Sequence, residues 1–307
     1  MKQNPKRLLS LALALTMALS TTITSSLAWN QTAAAPTTAS VTTMAAPTSG
    51  KCGKNVTWKY NAKTKTVTIS GKGDMYNYKS WGDGVAPWLA DDNGLNIQKV
   101  VVQSGVTSIG SYAFQYAQVK SVSLPATLTK IGKSAFASCW KLTAITLPRN
   151  LKSLASDAFV GAGLKAYQVD KKNKYFTAVK GVLFDKKKTT LLSYPEGKKD
   201  TSYTIPKNVK TIGAYAFATN FDYRAKLRKL TVPASVKTVK SRAFEGFIGK
   251  IYFKGKVPKG MKGAITYEGY CTIYYPKKYA SNWKSTKKVL ESIDLDDCDV
   301  TCKTWKG

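Results

Sequence analysis

The side chains that could do chemistry here are carboxylates, lysines and cysteines, because the 307-residue sequence contains no histidine. Histidine is the usual general base near neutral pH and the commonest metal ligand. An enzyme would need a pocket that gathers at least two carboxylates. The candidates are Asp74, Asp83, Asp157, Asp170, Asp185 and Glu245. A wall-active hydrolase that uses lysine and carboxylate chemistry is therefore the alternative to a non-catalytic protein.

Two stretches near the C-terminus resemble functional motifs but fail in detail. In a calcium loop that begins at Asp294, Asp299 would occupy the position that requires glycine, and Trp305 that of the bidentate glutamate. Ser281 and Lys284 have the Ser-x-x-Lys spacing of penicillin-binding enzymes, but the partner motifs are missing. We predict no catalytic residue, no cofactor and no metal ligand, and interpret residues 286–307 as an acidic, cysteine-containing tail.

The five cysteines are an odd number, so at least one thiol stays unpaired or pairs between chains. Cys139 occupies a core position in the pattern described below. Cys298 and Cys302 could bridge each other if the tail is locally helical, but they lack the further ligands of a metal site. Cys52 and Cys271 lie in opposite end regions, too far apart for a direct bridge.

The charge of the chain is strongly positive, with 48 basic and 17 acidic residues and a net charge of +31. Such an excess attracts polyanions. The partners that we predict are a protein or an anionic surface polymer, namely a wall polymer, mucin or glycosaminoglycan. The alternative is that the positive charge serves only to keep the protein soluble. Nucleic acid is a poorer candidate, because no nucleic-acid-binding motif accompanies the lysines.

The N-terminus has the pattern of a secretory signal peptide over residues 1–28. Lys2, Lys6 and Arg7 precede an apolar run of about a dozen residues, and small residues follow at the cleavage positions. A membrane helix needs about 20 apolar residues, so we expect no membrane span in the mature form and a secreted or surface location. Cleavage would leave a net charge of +28, because this segment carries three basic and no acidic residues. Residues 29–50, rich in Thr, Ala and Pro, are interpreted as a disordered linker.

A short sequence motif recurs through the rest of the chain. Its Ala-Phe pairs end at Phe114, Phe136, Phe159, Phe217 and Phe244, and their spacings are 22, 23, 58 and 27 residues. The prolines of "SLP", "TLP", "TIP" and "TVP" share the spacings 23, 58 and 27. A period in the low twenties is the range of leucine-rich repeats. Alternation in "VKSVSLP" predicts one short strand per unit, and each unit can bury its apolar edge only against its neighbours.

The phrases "IGSYAF", "SLPATLTKIGKSAFASCWKL" and "TIPKNVKTIGAYAF" resemble the BspA-type leucine-rich repeats of bacterial secreted and surface proteins. The resemblance implies a right-handed, β-rich solenoid of short parallel strands, one per 22–27-residue repeat, with a β-hairpin cap at each end. It implies an N-terminal cap at 51–96, repeats at 97–247 with a hairpin insertion near 175–195, and a C-terminal cap at 248–285. It also implies adhesion or protein binding without catalysis. We expect the five phenylalanine rings to form an interior row.

The exposed sheet face is where proteins of this kind usually bind. Aligned strands place small polar side chains in its outward rows, with lysine at both ends and without a carboxylate, thiol or aromatic cluster. This pattern fits a weak, broad binding face or a plain solvated sheet. The binding residues that we predict are Lys99, Ser121, Ser123, Thr146, Gln168, Thr204, Lys229, Thr231, Lys250 and Tyr252.

Aromatic residues of the two end regions could form a platform for sugars, but they more often cover the open ends of such a stack. We favour the covering role. These residues are Trp58, Trp81, Trp88, Tyr274, Tyr275 and Trp283.

Overall fold

The computed structural model describes residues 47–90, 96–219, 225–265, 269–292 and 298–306. The predicted signal peptide and most of the predicted linker lie outside the described residues. No helix in the described ranges is long and apolar enough to cross a membrane.

The described chain is rich in short strands. The strands are β1 (Ser49–Gly53), β2 (Val56–Asn61), β3 (Thr66–Gly71), β4 (Gly73–Asp74), β5 (Lys99–Val102), β6 (Val106–Ile109), β7 (Ser121–Ser123), β8 (Lys130–Ile131), β9 (Ala144–Leu147), β10 (Ser153–Leu154), β11 (Ala166–Val169), β12 (Phe176–Val179), β13 (Val182–Asp185), β14 (Thr190–Ser193), β15 (Ser202–Thr204), β16 (Thr211–Ile212), β17 (Lys229–Val232), β18 (Thr238–Val239), β19 (Gly249–Phe253), β20 (Gly269–Pro276) and β21 (Cys298–Trp305). The α-helix α1 is Ala280–Glu291.

Strands of successive repeats pair in parallel, as the repeat spacing predicts. One set of sheets has the orders β1-β2-β3-β5-β7, β9-β11 and β15-β17-β19-β20-β21; the other has β4-β6-β8-β10 and β12-β13-β14-β16-β18. In β9, Ile145 and Leu147 are buried while Ala144 and Thr146 face solvent. This alternation follows from the two-residue period of a strand.

The N-terminal strands differ from the repeats. β1, β2 and β3 pair antiparallel, with Trp58 opposite Ile69 across β2 and β3. β3 then pairs in parallel with β5, so that Val67 is opposite Val100. This hairpin continues the sheet of the repeats at its first edge.

The five phenylalanines are buried, and this expectation is confirmed. Phe114, Phe136 and Phe159 stack with ring centroids 5.3 and 5.4 Å apart and nearly parallel planes. Phe217 and Phe244 stack at 5.9 Å. The rings thus form two interior stacks, one of Phe114, Phe136 and Phe159 and one of Phe217 and Phe244, and this stacking adds to the free energy of burying their apolar surface.

A ladder of backbone hydrogen bonds runs beside the rings. The amides of Phe114 and Phe136 donate to the carbonyls of Ala135 and Ala158 in the next repeat, both at 2.8 Å, and that of Phe217 donates to Ala243 in the same way. The first carbonyl of the ladder, that of Ala113, accepts instead from the indole Nε1 of Trp88 at 2.7 Å. Trp88 therefore supplies the donor that a preceding repeat would otherwise provide.

The 58-residue interval contains a longer unit followed by an ordinary one. Tyr194 occupies the phenylalanine position, because its amide donates to the carbonyl of Ala216 and its ring stacks on Phe217 at 5.6 Å. β12 and β13 form an antiparallel hairpin in the stretch where the sequence predicts an insertion. The buried residues form two clusters, one that ends with Phe176 and Leu183 and one that begins at Val182.

The expectations for the C-terminal region are wrong for the described residues. The cap at 248–285 is not a hairpin, because β20 pairs in parallel with both β19 and β21. Parallel neighbours need a crossover connection, and α1 provides it with Trp283 and Leu290 buried. The predicted tail at 286–307 begins within α1, and its segment Cys298–Trp305 forms β21, where Val300 and Cys302 alternate as buried residues.

Candidate functional site

The outward rows of the strands contain all of the binding residues that the sequence predicts. The register pairs Lys99 with Ser121, Thr146 with Gln168, and Lys229 with Lys250. Each of the ten side chains is exposed or half-buried. They divide among three sheets: Lys99, Ser121 and Ser123; Thr146 and Gln168; and Thr204, Lys229, Thr231, Lys250 and Tyr252. Their role in binding stays a prediction.

The third sheet extends further than the sequence indicated, because β20 and β21 continue its rows. Tyr252 is opposite Tyr274, and Tyr274 is opposite Lys303. Pro276 is opposite Trp305, and both line a cleft together with Lys254. We call the resulting surface the lysine–aromatic face. It consists of Lys229, Lys250, Tyr252, Lys254, Tyr274, Lys303 and Trp305.

The aromatic residues of this face form a packed cluster. The rings of Tyr252 and Tyr274 stack with centroids 4.6 Å apart and planes 6° apart. Trp305 meets Tyr252 edge-on at 5.3 Å, and its indole Nε1 donates to the carbonyl of Phe253 at 3.2 Å. The prediction that the exposed face lacks an aromatic cluster is therefore wrong. Sequence reasoning missed it because the segment with Trp305 was interpreted as a tail, although its alternating pattern indicates a strand.

The charge around the cluster is positive. Lys229 places its Nζ 5.4 Å from the ring centroid of Tyr252, a cation–π contact. Beside Trp305 lies a cleft of about 650 Å³, and its lining includes Lys254, Lys277, Lys278 and Lys306. At the outward positions from 229 to 254, 272 to 276 and 301 to 305, the described side chains include no carboxylate.

This geometry suits anion binding rather than base or sugar stacking. One face of Tyr252 is covered by Tyr274, and Lys229 lies over the ring as well. The parts of the cluster that are exposed to solvent are therefore mainly ring edges and ammonium groups. Lysine acts on an anion as a point charge, without the bidentate geometry of arginine, so the surface does not select one anion shape.

Three of the six carboxylates considered for catalysis accept hydrogen bonds from neighbouring residues. Asp74 accepts a hydrogen bond from Thr107 at 2.6 Å, which lowers the pKa of its carboxyl group. Asp157 accepts from Ser134 Oγ at 2.9 Å, and Asp185 from Thr189 Oγ1 and the amide of Thr190, both at 2.8 Å. In the described part of the chain, no group of three or more cysteine, aspartate or glutamate side chains is placed to hold a metal.

The cysteines are structural where they are described. Cys139 is buried, as the repeat pattern predicts, and its Sγ donates to the carbonyl of Phe114 at 3.0 Å. Burial raises the pKa of the Cys139 thiol. Cys298 and Cys302 lie on one strand, where residues four apart are separated by about 13 Å. A disulfide requires Cα atoms within about 7 Å, so the strand excludes the bridge that a helical tail would allow.

Comparison with known proteins identifies the repeats. The family model described as "BspA type Leucine rich repeat region" matches six copies, at residues 92–188 and 195–255, which is just over half of the chain. No curated protein is a significant match.

Several solved bacterial structures are similar to this chain. A leucine-rich repeat protein from Eubacterium ventriosum is 24% identical with a TM-score of 0.44, covering 75% of this chain and 72% of its own. A leucine-rich cell surface protein from Faecalibacterium prausnitzii is 15% identical with a TM-score of 0.46, covering 84% and 95%. The T. pallidum leucine-rich repeat protein is 18% identical with a TM-score of 0.35, covering 82% and 99%. On the extent of the family match, this chain belongs to the BspA-type leucine-rich-repeat family.

Proposed function

We propose that this protein is a secreted, non-catalytic adhesion module that binds an anionic surface polymer through the lysine–aromatic face. Its repeats form a right-handed solenoid, and the hairpin of β2 and β3 together with Trp88 caps the first repeat. The polymer is a wall polymer, mucin or glycosaminoglycan. The signal-peptide pattern at residues 1–28 supports export to the surface where such polymers occur.

The observation that carries this proposal is the alignment of lysines on one sheet. Lys229 and Lys250 are opposite each other on neighbouring strands, which lie about 4.8 Å apart. Lys303 adds a charge in the next row, opposite Tyr274, and Lys254 lines the cleft beside Trp305. A linear polyanion that crosses the strands can contact several ammonium groups at once and release the counterions that they hold. The sheet fixes the lysine backbones before binding, so the polymer meets a preformed surface.

The general charge of the protein adds to this local site. The net charge of +28 that remains after cleavage of the signal peptide raises the concentration of anionic polymers near the protein and speeds their association. Both contributions weaken as salt screens them, with a Debye length of about 10 Å at 0.1 M and about 3 Å at 1 M.

A protein partner is the second candidate, and the aromatic cluster favours it. Tyrosine and tryptophan are enriched among residues that dominate protein interfaces. Tyr252, Tyr274 and Trp305 lie together at one end of the exposed face. Binding of this kind depends on shape and apolar contact, and much of it survives moderate salt.

Binding to immobilised polymers across a salt series tests the proposal. Wall teichoic acid, heparin and sialylated mucin serve as the anionic probes, and dextran as the neutral control. We expect retention on the anionic probes at 50 mM NaCl, a fall of about tenfold or more in affinity by 500 mM, and no retention on dextran. Lack of retention on every anionic probe at low salt would contradict the proposal. Salt-resistant capture of one defined host or wall protein would favour the protein partner instead.

A further inference from the structure

Trp81 differs from the other aromatic residues of the end regions. Trp58, Trp88 and Trp283 are buried to 2% exposure or less, in agreement with a covering role. Trp81 is 72% exposed, the most exposed large apolar side chain in the described ranges. A covering role therefore does not explain Trp81.

Trp81 lines a groove beside the first repeat. Its ring lies 5.5 Å from that of Tyr116, with planes tilted by 39°, and Tyr116 is itself exposed. The groove has a volume of about 810 Å³. The tilt leaves ring surface open to the groove, unlike the mutually covered rings of Tyr252 and Tyr274.

The loop that carries Trp81 is held in shape by its own hydrogen bonds. The amide of Lys79 donates to the carbonyl of Gly84 at 2.8 Å, and the amide of Val85 donates to Gly82 at 3.3 Å. Gly82 and Gly84 have φ values of 64° and 98°, a region that glycine adopts without strain. Trp81 is thus presented on a compact turn, so less conformational freedom is lost when a ligand binds.

The groove also offers hydrogen-bonding groups of both kinds. Ser80 Oγ donates to Gln115 Oε1 at 2.6 Å, which orients the amide and leaves Nε2 as a donor. Asp83 lines the same groove and supplies acceptors. Lys79 and Asp83 balance each other in charge, whereas the lysine–aromatic face has lysine alone. A lining of balanced charge in so basic a protein favours a neutral ligand.

We propose that this groove binds a neutral glycan. The C–H face of a pyranose ring packs on Trp81 and Tyr116, because the negative π face of an aromatic ring attracts positively polarised hydrogens. Gln115 Nε2 donates to a sugar hydroxyl, and the carboxylate of Asp83 accepts from another. This site is at the opposite end of the repeats from the lysine–aromatic face and does not depend on polyanion binding. A proline-rich peptide, which also uses aromatic grooves, is the competing occupant.

Titration with cellotetraose, chitotetraose and an N-acetyllactosamine tetrasaccharide tests this inference. Calorimetry and tryptophan fluorescence measure the binding of each glycan. Trp81→Ala and Tyr116→Ala are the site variants. Trp140→Ala is the matched control, because Trp140 is likewise an exposed tryptophan but lies in the repeats, outside this groove. Matching thermal midpoints for the three variants establish that each remains folded.

We expect at least one tetrasaccharide to bind, with a blue shift of the emission and with an affinity that changes less than twofold between 50 and 500 mM NaCl. Trp81→Ala should lower the affinity at least tenfold, and Trp140→Ala should leave it unchanged. The inference is overturned if none of the three glycans binds, if both tryptophan variants weaken binding equally, or if only a decaproline peptide binds the groove. Because this binding resists salt, its failure is separate from any failure of polyanion binding.

Discussion

At the scale of single residues, aromatic side chains decide where the repeats begin and continue. The spacing of the Ala-Phe pairs was sufficient to predict the interior row of rings. It did not identify Trp88 and Tyr194 as members, although Trp88 precedes Phe114 by 26 residues and Tyr194 precedes Phe217 by 23. An aromatic residue at the repeat interval, without the preceding alanine, was the available signal.

Replacing Trp88 tests its role as a hydrogen-bond donor. Trp88→Phe keeps a ring against Phe114 but removes the donor to the buried carbonyl of Ala113. We expect a loss of about 2 kcal/mol in the free energy of unfolding, because an unsatisfied buried carbonyl costs about 1–3 kcal/mol. Urea denaturation measures the change. Trp81→Phe is the matched control and should change the stability by less than about 0.5 kcal/mol, since exposed positions tolerate substitution. Equal effects of the two variants would contradict the assignment.

A second prediction at the residue scale concerns the reactivity of the buried cysteine thiols. Desolvation raises the pKa of both Cys52 and Cys302 to about 12, and it raises that of Cys139 as well. At pH 8 a thiol with such a pKa is about 0.01% thiolate, the reactive form. In a Cys298→Ser variant, we therefore expect slow reaction with Ellman's reagent in buffer and full reaction in urea.

The raised pKa values of these thiols also determine whether the free energy of unfolding rises or falls with pH. A thiol with a raised pKa in the folded state contributes stability that is present below its ordinary pKa of about 8.5 and is lost as pH rises toward 12. The free energy of unfolding should therefore decline between pH 9 and 11. Rapid thiol labelling of the folded Cys298→Ser variant at pH 8 would contradict the burial of these cysteines.

At the scale of elements, sequence reasoning succeeded where the repeat is regular and failed at the C-terminus. Strand alternation and proline spacing predicted the parallel strands and their outward rows. β21 was missed because its acidic neighbours dominated the interpretation, although Val300 and Cys302 alternate as buried residues. Parallel pairing of β20 and β21 depends on α1, a contact between distant segments that the repeat period does not encode.

Truncation tests whether β21 is a structural strand. Removal of residues 293–307 should expose the edge of β20 and the buried ring of Tyr275, lowering the thermal midpoint and promoting aggregation. Removal of residues 306–307 alone retains β21 and serves as the control. Differential scanning calorimetry and light scattering report both effects. An unchanged midpoint for the longer truncation would show that the segment is a dispensable tail.

At the scale of the whole molecule, the question is whether polyanion binding comes from the net charge or from the lysine–aromatic face. The net charge of +31 follows from composition alone and was evident in the sequence. The register places Lys229 and Lys250 opposite each other on β17 and β19, and Lys303 two strands further on β21; this arrangement could be seen only in part before β20 and β21 were placed. Both sources attract anions, but only the second depends on which lysines are changed.

A charge-matched comparison separates the two sources most directly. Lys229→Glu/Lys250→Glu alters the lysine–aromatic face, and Lys171→Glu/Lys187→Glu makes the same change of charge at exposed lysines elsewhere. The measurement is the affinity for teichoic acid and heparin from 50 to 500 mM NaCl. We predict that the first pair loses about tenfold more affinity than the second and has a shallower dependence on salt, because fewer counterions are released. Equal losses for the two pairs would contradict a localised site and leave the net charge as the sole cause of binding.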